Sequence, residues 1–187
     1  MKRVLVILSL GVAVFSTSLA PASAGKDDIL GIKIGMARDE VLAMHSSCAE
    51  HGFSRKDDAL RQPVYLCQVD VNKALSMETL MIYLTSSASG NKVYRVDYCF
   101  YDEAYSKNPV EADKQTIAAI SAQFGVQPAS GGYFATVWDL GSAGELRYQG
   151  YDGDCGRAVL RLSDMVLKDA DDRERENKKQ VAPAPQF

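Results

Sequence analysis

Apolar positions recur along this chain with two periods, and both periods occur twice in the same order. Helical spacing marks a segment from Arg38 to Ser47 and a second one from Asn108-Pro109 to Gly125. Each helical segment is followed by stretches in which apolar and polar residues alternate, the pattern of strands with one buried face. The pattern predicts six strands, at residues 63–71, 75–85, 92–101, 133–140, 145–151 and 157–163.

This order of elements predicts an α+β fold. Two consecutive helix-plus-antiparallel-strand units, residues 25–106 and 107–167, are expected to form a single domain as a pseudo-repeat. The helices should pack on one face of an antiparallel sheet. In the first helix, Val41, Met44 and Cys48 have the spacing of a core-facing side. Beyond Leu167 the sequence becomes mostly charged, and residues 168–187 are expected to form a charged, largely disordered tail, a terminal helix that frays into disorder.

The first 24 residues have the three-part layout of a secretory signal peptide. A basic start at Lys2-Arg3 precedes an apolar run from Val4 to Phe15, and Ala22-Ser23-Ala24 fits a cleavage site. The run is too short to span a hydrocarbon core of about 30 Å. We therefore expect a cleavable export signal, a mature chain that starts at Gly25 without a membrane anchor, and a periplasmic or secreted location.

Four cysteines lie in the expected mature chain, and an even number in an exported protein favours disulfides. Four cysteines allow three pairings. We predict Cys48–Cys67, which closes a short loop between the first helix and a strand that it should cover. We also predict Cys99–Cys155, which would tie the last strand of the first unit to the turn before the last strand of the second.

Charge and composition exclude several classes of partner. Lys2 and Arg3 belong to the leader, so the mature chain has 19 basic and 24 acidic residues, a net charge of −5. Nucleic acids and anionic membrane surfaces favour a basic face, and neither is expected as a partner. No pattern in the sequence indicates a cofactor.

The segment Gly31-Ile32-Lys33-Ile34-Gly35-Met36, followed by a helix with Glu40-Val41, resembles a helix opener of small exported bacterial proteins. It is similar to the opener in the small lipoprotein of the outer-membrane β-barrel assembly machine and in β-lactamase-inhibitor-like domains. Ala37 stands where those families have a Ser or Thr cap, and the lipidation cysteine is absent. The resemblance implies a non-catalytic, protein-binding domain of the cell envelope and assigns no functional residue.

Two histidines give the alternative interpretation, a periplasmic metal-handling protein or an enzyme. His45 and Cys48 are three residues apart, close enough on one helix to share a metal, and His51 follows soon after. The same residues are the only candidates for a thiol paired with a base. Oxidation of Cys48 to a disulfide would remove both options. No serine nucleophile motif is present, and an enzyme is the less favoured class.

The predicted Cys99–Cys155 bond would bring two acidic, tyrosine-bearing segments together. Strand alternation should turn Asp97 and Tyr101 towards solvent, on the side opposite Val96 and Phe100. We expect the acidic patch to recognise a basic surface on a protein of the cell envelope; calcium binding is the lesser alternative, since the loop after Tyr151 lacks the later acidic ligands of a calcium loop. The candidate binding residues are Asp97, Tyr101, Asp102, Glu103, Tyr151, Asp152 and Asp154.

Overall fold

The computed structural model describes residues 27–51, 60–69, 78–100, 107–131, 135–153, 155 and 157–181. The predicted signal peptide therefore lies outside the described residues. A two-stranded hairpin comes first, with β1 at Asp28–Ile29 and β2 at Ile32–Lys33. Helix α1 follows at Arg38–Met44. The remaining strands in the described ranges all join one antiparallel sheet.

The sheet has eight strands in the order β3-β4-β5-β6-β10-β9-β8-β7. Helix α2 spans Pro109–Phe124 between β6 and β7, and helix α3 spans Met165–Val181 after β10. The strands are β3 Ala49–His51, β4 Val64–Val69, β5 Glu78–Leu84, β6 Val93–Phe100, β7 Ser130–Gly131, β8 Thr136–Asp139, β9 Glu145–Asp152 and β10 Arg157–Ser163.

One face of the sheet carries the hydrophobic core. Helix α1 contributes Val41 to this core, and helix α2 contributes Ile120 and Phe124. The hairpin adds Ile29 and Ile32. The sheet side is made of buried residues from six strands, including Cys67, Leu80, Val96, Trp138, Leu146 and Leu162. No helix within the described ranges is long and apolar enough to cross a membrane.

Local signals in the sequence explain how α1 and α2 begin and end. Ala37 precedes α1 without a side-chain cap, and Glu40 compensates by accepting a hydrogen bond from the Ala37 backbone nitrogen at 2.8 Å. Asn108 caps α2, Pro109 occupies its first position, and Gly125 ends it in the left-handed conformation. These two helices were predicted close to their observed bounds.

The predicted fold class of two helix-plus-strand units is wrong. Strands β6 and β10 pair antiparallel from Phe100 opposite Ala158 to Arg95 opposite Ser163. All the long strands therefore belong to one large sheet that dominates the molecule, and the helices are few. Periodicity indicates which face of each strand is buried, but it does not indicate which strands become neighbours.

The C-terminal segment also differs from its prediction. Helix α3 takes up most of the segment that was expected to be largely disordered, and residues 182–187 lie outside the described residues. Asp164 caps this helix, since its carboxylate accepts hydrogen bonds from the backbone nitrogens of Val166 and Leu167. The helix then contacts the short helical turn Ser87–Ser89 and β6. Apart from the half-buried Leu167, the buried and half-buried side chains described in this helix are charged, so the hydrophobic pattern did not show that it packs against the sheet.

Candidate functional site

Both predicted disulfides form. Cys48 bonds Cys67, and Cys99 bonds Cys155 with their Cα atoms 5.7 Å apart. Structural disulfides are typical of oxidising compartments, so the two bonds indicate a protein that works outside the cytoplasm. They also place the segment around Asp152 against β6, as the sequence predicted.

The structure does not place Asp97 on an acidic surface. Its side chain is fully buried, where strand alternation had suggested solvent exposure. The Asp97 carboxylate accepts hydrogen bonds from the guanidinium groups of Arg95 and Arg161, each through two nitrogens. Alternation correctly separates Asp97 from Val96, but it gives no information on whether the second face of the strand is covered.

Asp152 is also buried, and it reaches the same arginine as Asp97. Its Oδ2 atom lies 3.6 Å from Nη2 of Arg161, and its Oδ1 atom accepts a hydrogen bond from the backbone nitrogen of Cys155. Tyr151, next to it, is exposed. The other predicted patch residues, Tyr101, Asp102, Glu103 and Asp154, lie outside the described residues.

Several charged side chains lie on the same face of the sheet as Asp97. Arg161 lies directly opposite Asp97 on one side and opposite Arg147 on the other. Arg147 pairs with Glu145, and Arg95 lies with its guanidinium carbon 4.4 Å from the centre of the Tyr83 ring. Burial alone would lower the pKa of Arg95, but its hydrogen bond and ion pair with Asp97 raise that pKa above its ordinary value.

This arrangement fits a structural role. Both oxygens of the Asp97 carboxylate already accept hydrogen bonds, and guanidinium groups do not act as proton donors near neutral pH. The cluster joins β6, β9 and β10 with charge-assisted hydrogen bonds. We therefore assign Asp97 and Asp152 to the interior of the fold and look for a contact surface elsewhere.

The two histidines do not come together with a free thiol. Cys48 is oxidised, so it is neither a thiolate ligand nor a nucleophile. His45 lies with Nε2 3.2 Å from the backbone oxygen of Leu30, and His51 is exposed on the edge strand β3. Among the described residues, no group of three or more His, Cys, Asp and Glu side chains is arranged to hold a metal ion.

His45 contacts an unusual turn at the tip of the β1–β2 hairpin. Leu30 and Gly31 form its two-residue loop and have positive φ angles, 51° and 84°. Such turns favour Asn or Gly at the first position, because a branched side chain in left-handed backbone costs about 1–2 kcal/mol. Leu30 bears that cost and is also 44% exposed.

Met44 extends the apolar surface beside Leu30. Its sulfur lies 3.8 Å from the position that a Cβ atom on Gly31 would occupy, and the residue is 48% exposed. The sequence had suggested that Met44 faces the core. Helix α1 ends at this residue, so its last turn leaves the core side. We call Leu30 and Met44 the hairpin-tip patch.

The hairpin-tip patch was missed at the level of sequence. The signal was present in Ile29-Leu30-Gly31-Ile32, where two apolar residues flank a Leu-Gly pair in place of the usual Asn-Gly. Comparisons with protein-family models, with curated proteins and with solved structures give no match to this chain.

Proposed function

We propose that this chain is an exported protein that binds another protein of the bacterial envelope and catalyses no reaction. The observation that carries the proposal is Leu30, an exposed apolar side chain in left-handed backbone. Strained residues of this kind cluster at sites of contact, where the interaction offsets their cost to the fold. The two disulfides support export, and the leader-like residues 1–24 support the periplasm or the exterior as the destination.

The surroundings of the hairpin-tip patch support a protein contact. The His45 side chain contacts the backbone oxygen of Leu30 and helps to fix the turn, so little conformational freedom would be lost on binding. A salt bridge between Lys33 and Asp27 lies on the same hairpin and gives the patch a polar neighbour. An apolar centre with polar surroundings is the usual anatomy of a protein interface.

The proposed occupant is a protein with an apolar pocket. A lipid surface is the weaker choice, because two exposed apolar side chains bury little area and a mature net charge of −5 opposes binding to anionic lipids. The predicted recognition of a basic surface now depends on Tyr151 and on residues 101–103 and 154, because Asp97 and Asp152 are buried. It remains a separate prediction.

The test compares L30N with V166N. Val166 is another exposed apolar residue, on the first turn of α3, and serves as the matched control. A partner is first captured from envelope extract by the unmodified chain and purified, and its Kd is then measured with each variant. L30N should weaken binding at least tenfold, whereas V166N should bind like the parent. Equal affinity of L30N and the parent would overturn the hairpin-tip patch as the contact.

Two further measurements make that test decisive. Asn is better suited than Leu to the left-handed turn, so L30N should unfold at the same or a higher urea concentration. Weak binding would then not result from loss of structure. A photo-crosslinking side chain at position 30 should label the partner, and the same group at position 166 should not.

A further inference from the structure

Helix α3 is attached to the sheet by carboxylates. Among the side chains described at positions 165–180, Asp171 is the only one that is fully buried, at 1% exposure. Leu167 is half-buried, and the other half-buried residues carry charge. Helix α2, by contrast, buries Ala112, Ile120 and Phe124 against the core. The two helices are therefore held by different kinds of interaction.

Three uncharged residues donate hydrogen bonds to the carboxylates of α3. The Ser86 backbone nitrogen and hydroxyl donate hydrogen bonds to Asp171 at 3.0 and 2.5 Å. The Gln62 amide donates to Asp171 at 2.8 Å and to Asp172 at 3.0 Å. The Ser89 hydroxyl donates to Glu174 at 3.0 Å. We call Gln62, Ser86 and Ser89 the acid-binding surface.

The acid-binding surface has the chemistry of a carboxylate receptor. Gln62 lies two residues before β4, and Ser86 and Ser89 lie in the turn after β5, so all three donors are close in sequence to strands of the sheet. Within the part of the chain that the structure describes, the hydrogen bonds to the Asp171 carboxylate come from uncharged donors. Hydrogen bonds of this kind favour the ionised form and are among the stronger ones in proteins.

Helix α3 is also built to persist without the sheet. Asp164 caps its first turn, and Lys178 and Lys179 lie where they complement the helix dipole. Ion pairs link Lys168 to Asp172 and Glu174 to Lys178, both at the favourable spacing of four residues. Undocking the helix would expose few apolar groups, so it costs less than unfolding the domain.

We propose that the acid-binding surface recognises an acidic helical segment of a second protein, and that α3 occupies this surface in the free chain. The recognised segment carries carboxylates at the spacing of Asp171, Asp172 and Glu174, two adjacent acids and a third two positions later. Binding in trans requires α3 to leave, so α3 regulates access. This surface is separate from the hairpin-tip patch and does not depend on it.

The experiment uses the full chain and a fluorescent peptide with the sequence of residues 165–181, followed by anisotropy. The D171N chain, whose own helix is weakly attached, should bind the peptide at least tenfold more tightly than the parent chain. A peptide that carries D171N should lose this binding. A peptide with E176Q should keep it, because Glu176 is exposed and its ion pair among the described residues is with Lys179 of the same helix.

Adding S86A to the D171N chain should abolish peptide binding, because two of the donors to the carboxylate meet at Ser86 and the hydroxyl is the shorter contact. A folded D171N chain, verified by circular dichroism, that binds no peptide would overturn the proposal. If D171N does not fold, E174Q tests the same point, since it weakens the Ser89 contact to the sheet as well as the ion pair with Lys178 within the helix. It should give a smaller increase in peptide affinity, and equal affinity to the parent would also overturn the proposal.

Discussion

Asp97 and Arg161 lie directly opposite each other on β6 and β10, and their side chains form two hydrogen bonds of 2.8 and 3.0 Å. Strands β6 and β10 are the two central strands of the sheet, so this pair joins the half formed by β3 to β6 to the half formed by β7 to β10. Arg95 holds the same carboxylate from the neighbouring position on β6. The interior of the sheet is thus connected by ionic contacts on one face and by apolar packing on the other.

Replacing Asp97 with alanine should destabilise the fold by about 3–5 kcal/mol, because it leaves two guanidinium groups without their buried partner. Urea unfolding of D97A and the parent measures the difference. E145Q is the control, since Glu145 forms an exposed pair with Arg147 and its loss should cost at most about 1 kcal/mol. Similar losses in the two variants would contradict the structural role of Asp97.

Removing the disulfides should reduce stability in a defined order. The Cys99–Cys155 bond spans 56 residues and the Cys48–Cys67 bond spans 19. In the chain-entropy model, the longer loop contributes about 4 kcal/mol and the shorter one about 3 kcal/mol. The double-serine variant of each pair, unfolded in urea, gives the two values. The reverse order would show that effects other than chain entropy dominate.

The buried phenol of Tyr94 should ionise only in strong alkali. Burial raises its pKa to about 12 from the ordinary value of 10.0, and the opposing charge of Arg95 does not offset this. A pKa that is raised on folding means that the neutral phenol stabilises the fold. This contribution is complete below about pH 10. It disappears as the pH rises through about 12.

An absorbance titration of the phenolates tests this expectation. The Y94F chain should lack one phenol of the group that ionises at the alkaline end, and its stability should fall less between pH 10 and 12. Y151F serves as the control, because it removes one exposed phenol and leaves the interior unchanged. Loss of a phenol that ionises near pH 10 in Y94F would show that Tyr94 is open to solvent.

Gly144 should tolerate no side chain. It has a φ of 101°, and a Cβ atom there would lie 2.5 Å from the backbone oxygen of Ser163. The turn before β9 would have to move away from the end of β10, so we expect G144A to destabilise the fold by about 3 kcal/mol. Thermal unfolding compares it with G153A, where a Cβ meets no atom within 4 Å and the change should stay within about 0.5 kcal/mol.

Six of the strands, the helices α1 and α2, and both disulfides were predictable from the sequence. The alternation of Leu80, Ile82 and Leu84 placed β5, and the cap and end signals at Asn108 and Gly125 placed α2. The disulfide pairing followed from the positions of the elements. These predictions succeed because each depends on a short stretch of chain with a strong pattern.

Assembly was not predictable in the same way. The pairing of β6 with β10 joins residues that are far apart in sequence, and single-strand periodicity contains no information on neighbours. Asp97 was treated as a surface acid, because composition cannot show that arginines from other positions surround it. Leu30 was missed since an apolar residue in a short apolar segment suggests burial.

The pairing of β6 with β10 has a consequence for the order in which the chain acquires its structure. Strand β6 is synthesised well before β10, because Phe100 and its partner Ala158 are far apart in sequence. In that interval the edge of β6 is open and Cys99 has no partner, so this is the time at which the chain is most exposed to misassociation. Contacts between such distant segments also slow folding, because a long loop must close first. The time between the emergence of β6 and that of β10 thus determines how long the unfinished sheet remains open.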